Sequence, residues 1–300
     1  MKNNIAVIGL GSMGYGIATS CLRSGHLVWG VDTNIDQVKA FCSQGGQATT
    51  LNSVIDKIDV VVVVVLNSVQ TEEVLFGQEG LVENLKPGTV VISCATVAPT
   101  FAIDMERRCK EFEIFYLDAP ISGGALKAKN GQLSIMASGV KEAFQHARPT
   151  LDSISETVFE LGDEAGTGSA MKSVNQLLAG VHIAVMAEAL TFGISQGISP
   201  DKFVEVISKC AGTSWMLENR APHIVNGDYK PHSSIHIWPK DLGIVLDVAL
   251  ESKFNAPIAT AALEQFRTAV DMGLGFEDDA AVAKVYAKSA NLSLPKKNDV

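Results

Sequence analysis

The chain has 300 residues, 47% apolar and 19% charged, with a formal net charge of −9, which describes a globular protein large enough for two domains with substantial cores. The negative balance argues against nucleic acid as a general partner, because phosphate binding needs a basic face. The most hydrophobic run, residues 60–66, is far short of the roughly 20 residues that cross a bilayer, and the five cysteines at 21, 42, 94, 109 and 210 show no C-x-x-C spacing, so no membrane span, disulfide framework or metal site is expected.

Met1-Lys2-Asn3-Asn4 leads straight into an apolar run without a cleavable signal pattern, which points to a cytoplasmic protein. That run, Ile5-Ala6-Val7-Ile8, is followed by Gly9-Leu10-Gly11-Ser12-Met13-Gly14 and a helical segment reaching Arg23. In a strand–turn–helix of this kind the first glycine allows the tight turn and the second lets the backbone approach a pyrophosphate. The third lets the helix pack on its strand. The helix N-terminus, with its unpaired N–H groups, then faces the phosphates. A bare G-x-G-x-x-G recurs by chance, so its context matters. A second apolar run at 27–31 ends in Asp32, 18 residues after Gly14. A carboxylate there accepts both ribose hydroxyls of adenosine and repels a 2′-phosphate, which favours NAD over NADP. The same residue could instead serve as an ordinary helix N-cap.

Up to about residue 163, short β-rich runs alternate with helical segments, the pattern of a parallel sheet covered on both faces. Strands are expected at 4–9, 27–31, 60–66, 89–94, 114–118, 132–137 and 157–161, and helices at 34–43, 69–76, 99–109 and 141–154. Residues 60–66 lack polar alternation, as a strand buried on both faces would. The strand ends at Leu66-Asn67-Ser68 and Ser93-Cys94-Ala95-Thr96 fall on the carboxyl edge, where open α/β sheets bind ligands. Next comes Asp118-Ala119-Pro120-Ile121-Ser122-Gly123-Gly124-Ala125, whose Ser-Gly-Gly turn offers backbone N–H groups and a hydroxyl suited to a carboxylate. A loop that merely needs glycine for positive φ would look the same.

After Gly162 no strand signal remains. Met171, Val174, Leu177, Leu178, Val181, Val185, Leu190 and Phe192 follow helical spacing, and a helix of about 28 residues would run roughly 42 Å. Helical segments continue beyond it, with breaks near 199–200, 212–214, 227–228 and 255–257. The expected division is a dinucleotide-binding domain at 1–164 and an all-α substrate and oligomerisation domain at 165–300. Only the tail Pro295-Lys296-Lys297-Asn298-Asp299-Val300 has the composition of a disordered segment.

Lys172 follows the flexible Gly166-Thr167-Gly168, near the start of the long helix. An ammonium in a partly dry cleft beside a positive nicotinamide would have its pKa lowered and could exchange a proton with a substrate hydroxyl. By position alone it could equally be a solvated helix lysine. Asn175 and Gln176, at i+3 and i+4, share its face, while His182 is about 80° away on a straight helix. Lys240, in Trp238-Pro239-Lys240-Asp241-Leu242-Gly243, opens another helix, an awkward place for a cation because a helix N-terminus is already positive. Trp215, Asn219 and Arg220 could close a pocket, although core packing also explains Trp215.

Four separated motifs, Gly9 to Gly14, Asp118 to Gly124, Gly166 to Lys172 and Lys240 to Gly243, agree in order and spacing. Together they resemble the β-hydroxyacid dehydrogenase family, which includes 3-hydroxyisobutyrate dehydrogenase and tartronate semialdehyde reductase. The resemblance spans essentially the whole chain. It implies an α/β Rossmann-type N-terminal domain, an all-α C-terminal domain and an active site between them. Gly9, Leu10, Gly11, Ser12, Met13, Gly14, Asp32, Leu66, Asn67, Thr96 and Lys240 would then meet the NAD cofactor, with Lys240 contacting cofactor or substrate. Ser122, Gly123 and Gly124 would hold the substrate carboxylate, Lys172 would be the catalytic acid/base, and Gln176 and His182 would face the substrate. The family pattern has asparagine four residues after the lysine, where this chain has Gln176. The stretches 176–182, 214–220 and 227–233 look most like the branch that oxidises a four-carbon sugar acid at C2, with L-threonate the leading expectation. No nucleic acid, membrane or metal partner is implied, and the long apolar helix together with the resemblance implies a homo-oligomer, a dimer or tetramer. A non-catalytic binding protein on the same scaffold is disfavoured by the presence of Lys172.

Overall fold

The computed structural model describes residues 2–47 and 50–297, so Asn298, Asp299 and Val300 of the expected tail lie outside the described residues. Two compact units divide the chain, Met1–Lys172 and Ser173–Val300.

The first unit is built on five parallel strands, β1 (Asn4–Ile8), β2 (Leu27–Val31), β3 (Val60–Val63), β4 (Val90–Ser93) and β5 (Phe115–Asp118), in the order β2-β1-β3-β4-β5. Alternate residues of each strand enter opposite cores. Ile5, Val7, Val60, Val62, Val90 and Ile92 pack on one face, and Ala6, Ile8, Val61, Val63 and Val91 on the other. Both faces are therefore dry, which is why these strands are unbroken apolar runs. Helices α1 (Gly14–Arg23), α2 (Ile35–Ser43) and α6 (Lys141–Ile154) contribute Ile17, Phe41 and Phe144 to the first core. Leu75 of α3 (Ser68–Phe76) and Met105 of α4 (Pro99–Lys110) enter the second.

The sheet departs from expectation in two ways. Strand β3 ends at Val63 rather than at Leu66, because its pairing with β1 and β4 stops at Ile8 and Ser93, where both neighbours leave the sheet. The later strands also form a second sheet instead of extending the first. Here β6 (Ile121–Ser122) is antiparallel to β7 (Leu133–Ala137), and β7 is parallel to β8 (Ser155–Glu160). Strand β6 and the short helix α5 (Gly124–Asn130) were not expected, since two residues carry no period to read. The two sheets are tied by a bridge in which Asp118 N donates to Ser138 O at 3.0 Å and Ser138 N to Asp118 O at 2.9 Å.

Helix α7 (Thr167–Ser195) begins in the first unit and continues into the second, which adds α8 (Pro200–Ile207), α9 (Trp215–Val225), α10 (Ile237–Glu251), α11 (Pro257–Asp271) and α12 (Ala283–Ser289). Ile183, Met186, Ala187 and Leu190 of α7 pack in one core with Phe203, Leu217, Trp238, Leu263 and Phe266. By length and composition alone α7 could cross a membrane, yet one face of it is packed in this core. Five of its large apolar residues, Met171, Val174, Leu178, Val185 and Phe192, are exposed.

Candidate active site

The parallel register brings the strand ends of the first sheet to one edge. Gly9 N donates to Val31 O, Val64 N to Ile8 O, Cys94 N to Val63 O and Ala119 N to Ser93 O, all at 2.8–2.9 Å. The strand order reverses between β1 and β3, so the crevice outside their carboxyl ends is the switch point at which such sheets bind ligands.

The glycine turn sits at that point. Gly9 has φ +95°, and a Cβ on Gly14 would lie 1.8 Å from Gly9 O, so both glycines are required by the fold itself. Gly11 is different. A Cβ there would meet nothing within 4 Å, so no protein packing demands glycine. The open space is what a closely approaching pyrophosphate needs, and the residues fit a dinucleotide on this observation. Beside the turn is a cavity of about 380 Å³ lined by Leu10, Gly11, Ser12, Tyr15, Asp32, Asn34 and Gln37. Asp32 Oδ2 accepts from Leu10 N at 2.6 Å and Oδ1 from Asn34 N at 2.7 Å. The N-cap of α2 is Asn34, whose side chain accepts from Asp36 N, so Asp32 is not the cap. Among the described residues lining this cavity none is basic.

Along the edge, Leu66 is exposed and Asn67 caps α3 by accepting from Gln70 N at 2.9 Å, while Gln70 Oε1 accepts from Leu66 N at 2.8 Å. Thr96 lies partly exposed just past β4. Ser122 belongs to β6, and both Gly123 (φ +133°) and Gly124 (φ +78°) take backbone conformations that favour glycine as the chain turns into α5. Lys172 is 8% exposed, and its Nζ donates to the carbonyl of Ile121 at 2.8 Å, immediately before Ser122. The expected acid/base and the expected carboxylate turn, about 50 residues apart in sequence, are thus neighbours.

In the second unit Gln176 is buried. Its Nε2 donates to Asp241 Oδ2, and its Oε1 accepts from Asn175 Nδ2 at 2.8 Å. The other Asp241 oxygen lies 2.5 Å from Lys240 Nζ. This ion pair offsets the charge conflict of a lysine at the start of α10. Asp241 had not been singled out, although it directly follows Lys240. His182 is partly exposed on α7. Arg220 is engaged by the buried Asp279, with Nε 2.5 Å from Oδ1, and also bonds Asn219. Asp279 further accepts from the Trp238 indole at 3.0 Å. Arg220 is thereby a core ion pair. Trp215 is exposed. Among the described residues no three His, Cys, Asp or Glu side chains gather as a metal site would require.

A sheet edge of the kind that binds nucleotides and a buried lysine beside a serine–glycine turn have the chemistry that the nicotinamide-dependent hydroxyacid dehydrogenases require. Residues 4–162 match the family model of the NAD binding domain of 6-phosphogluconate dehydrogenase, and residues 166–286 that of the NAD-binding domain of NADP-dependent 3-hydroxyisobutyrate dehydrogenase. The chain is 46% identical over 287 residues to the L-threonate dehydrogenase of Cupriavidus necator, covering 95% of this chain and 97% of that one. It is 42% identical over 286 residues to the L-threonate dehydrogenase of Escherichia coli K12, covering 95% of each. A solved structure of a 3-hydroxyisobutyrate dehydrogenase from Salmonella typhimurium superposes with a TM-score of 0.88 at 40% identity, over 94% of this chain and 99% of that one. The chain belongs to the 3-hydroxyisobutyrate dehydrogenase-related β-hydroxyacid dehydrogenase family.

Proposed function

We propose that this protein oxidises L-threonate at C2 to 2-oxo-tetronate (2-dehydro-L-erythronate), with NAD as the cofactor. The observation that carries the reading is the Lys172 ammonium on the Ile121 carbonyl, beside Ser122. The name shared by the relatives at 42–46% identity supports the substrate. Asp32, in a cavity without a lining cation, supports NAD, because a 2′-phosphate would meet a carboxylate and find no basic partner. When bound, the nicotinamide supplies the hydride acceptor.

The chain's own residues do the rest. Ser122, Gly123 and Gly124 hold the substrate carboxylate, and Lys172 Nζ, as the neutral amine, takes the proton of the C2 hydroxyl and becomes the ammonium as hydride leaves that carbon. Leu66, Asn67 and Thr96 line the carboxyl edge towards the nicotinamide, and Lys240 contacts cofactor or substrate. Gln176 and His182 meet the further hydroxyls, since a site built to hydrogen-bond a hydroxyl strongly rejects analogues without it. The working division is a cofactor domain at 1–164 and a substrate and oligomerisation domain at 165–300. The exposed apolar residues of α7 support a dimer or tetramer, and the chain is read as cytoplasmic.

Initial rates with NAD and NADP across C3 and C4 hydroxy acids test this reading. We expect NAD with L-threonate to dominate. Faster turnover of 3-hydroxyisobutyrate or tartronate semialdehyde would replace the substrate, and faster turnover with NADP would replace the cofactor. Lys172→Ala should lower kcat about 10²- to 10⁴-fold with cofactor binding intact, and near-normal turnover would remove the acid/base role.

A further inference from the structure

Asp118, the last residue of β5, is 1% exposed and makes no contact that the proposed chemistry needs. Its carboxylate is directed at the start of α7. Oδ2 accepts from Gly166 N at 2.9 Å and Ser169 N at 2.8 Å, and Oδ1 accepts from Ser169 Oγ at 2.6 Å. Ser138, bridged to Asp118 through the backbone, extends the cap, with Gly168 N donating to Ser138 Oγ at 3.0 Å. The approach is so close that a Cβ on Gly168 would lie 2.5 Å from both Asp118 O and Met136 O. Lys172 stands one turn further along the same helix, and its Nζ reaches back to Ile121, three residues after Asp118. The four-residue span 118–121 thus grips α7 twice, at its first turn and at the tip of Lys172.

We infer that Asp118 is a positioning residue for Lys172, fixing the first turn of α7 so that the ammonium meets the Ile121 carbonyl beside Ser122. The inference rests on Lys172 being the acid/base group. A carboxylate suits the task because both its oxygens accept from N–H or O–H donors of the helix start, and its negative charge lies against the positive end of the helix. Burial pushes the Asp118 carboxyl above the usual carboxylate range, against the pull of its bonds from Ser169, Gly166 and Ser138. A group held so unfavourably by solvation is useful only where its hydrogen bonds determine geometry. An error of about 1 Å at a reacting group lowers turnover roughly 10²-fold, so the cap has leverage on rate without touching substrate.

The test is a mutant cycle on the full chain with Asp118→Asn, Lys172→Ala and the double variant, reading kcat, KM and the dissociation constant for NADH by fluorescence. Asp118→Asn turns one acceptor oxygen into an amide donor facing the helix N–H groups. It should lower kcat about 10- to 100-fold while NADH affinity stays within about twofold. In the Lys172→Ala background the same change should have no further effect, because there is no ammonium left to place. Ser169→Ala removes a single bond from the cap and should give a milder loss, about threefold, with the same dependence on Lys172. It serves if Asp118→Asn does not fold. An equal loss of residual rate in the Lys172→Ala background, or a parallel loss of NADH affinity, would mean that Asp118 only supports the fold and would overturn the inference alone. Near-normal turnover of Lys172→Ala would overturn the acid/base reading beneath it.

Discussion

His26, Asp32, Asp118 and Lys172, all in the first unit, bond to main-chain atoms. Arg220, His223, Gln176 and Lys240, all in the second, bond instead to the side chains of Asp279, Asp278 and Asp241. Main-chain donors are set by turns and helix ends, so the first unit presents its polar groups through backbone shape. These groups of the second unit gather instead on the buried carboxylates Asp241, Asp278 and Asp279, each of which needs its partners. The first arrangement should be sensitive to what changes the backbone or fills its gaps, and the second to deletion of a single charge.

The largest expected effect is therefore in the second unit. Arg220→Met leaves the fully buried Asp279 without its cation, and breaking such a pair costs about 3–5 kcal/mol. Urea unfolding should show that loss, and much of it should return when Asp279→Leu removes the orphaned charge as well. A loss below about 1 kcal/mol would mean that the ion pair contributes no more than an exposed one, and the contrast between the units would fail. A smaller effect is expected at Gly11, where an added Cβ enters open space. Gly11→Ala should leave the melting temperature unchanged while weakening NADH binding about tenfold, or about 1.4 kcal/mol. A drop in melting temperature with affinity unchanged would show that the fold, and not a ligand, requires this glycine.

The smallest effect concerns His26. Its Nδ1 accepts from Asn3 N at 3.0 Å, and Nε2 lies 3.2 Å from the Pro149 carbonyl, which is the geometry of a neutral ring. Burial lowers its pKa below the ordinary value, outweighing the bonds to Pro149 and Asn3. Above about pH 6.5 the ring is neutral in both the folded and unfolded chain, so its contribution is complete. As pH falls below that value the unfolded chain takes up a proton that the fold resists, and stability declines until the lowered folded pKa is passed. His26→Gln can keep both bonds without titrating. It should flatten the dependence of the unfolding midpoint between pH 7.5 and 5.5 by under about 1 kcal/mol, and an unchanged slope would assign that dependence elsewhere.

The same contrast governs what could be read in the sequence. The strand–turn–helix at Gly9 to Gly14 and the valine strand β3 carry their meaning in local spacing, and both were legible except for the three residues by which β3 stops short. The break residues of the second half marked the starts of α8, α9 and α11 for the same reason, but none marked the gap between α11 and α12. Strand β6 and helix α5 were not legible, because neither is long enough to show a period. Nor were the links from Asp118 to Ser169 and from Gln176 to Asp241, which join residues 51 and 65 positions apart. Sequence spacing carries no information about which distant groups will meet. Lys240 is an instructive middle case. Its conflict with the helix start was visible, but the carboxylate that resolves it becomes meaningful only once both are on one helix.

Asp32 has a consequence for redesign. Its Oδ2 receives the N–H of Leu10, so the group that lines the cavity beside the glycine turn also braces that turn. A change to serine or alanine, intended to admit a second phosphate, would also leave the Leu10 N–H without its carboxylate acceptor. On the proposed NAD reading, cofactor preference and turn geometry are linked traits at this position. A route between them runs through asparagine, which drops the charge but keeps an oxygen for Leu10, with a cation added afterwards at Asn34 or Gln37.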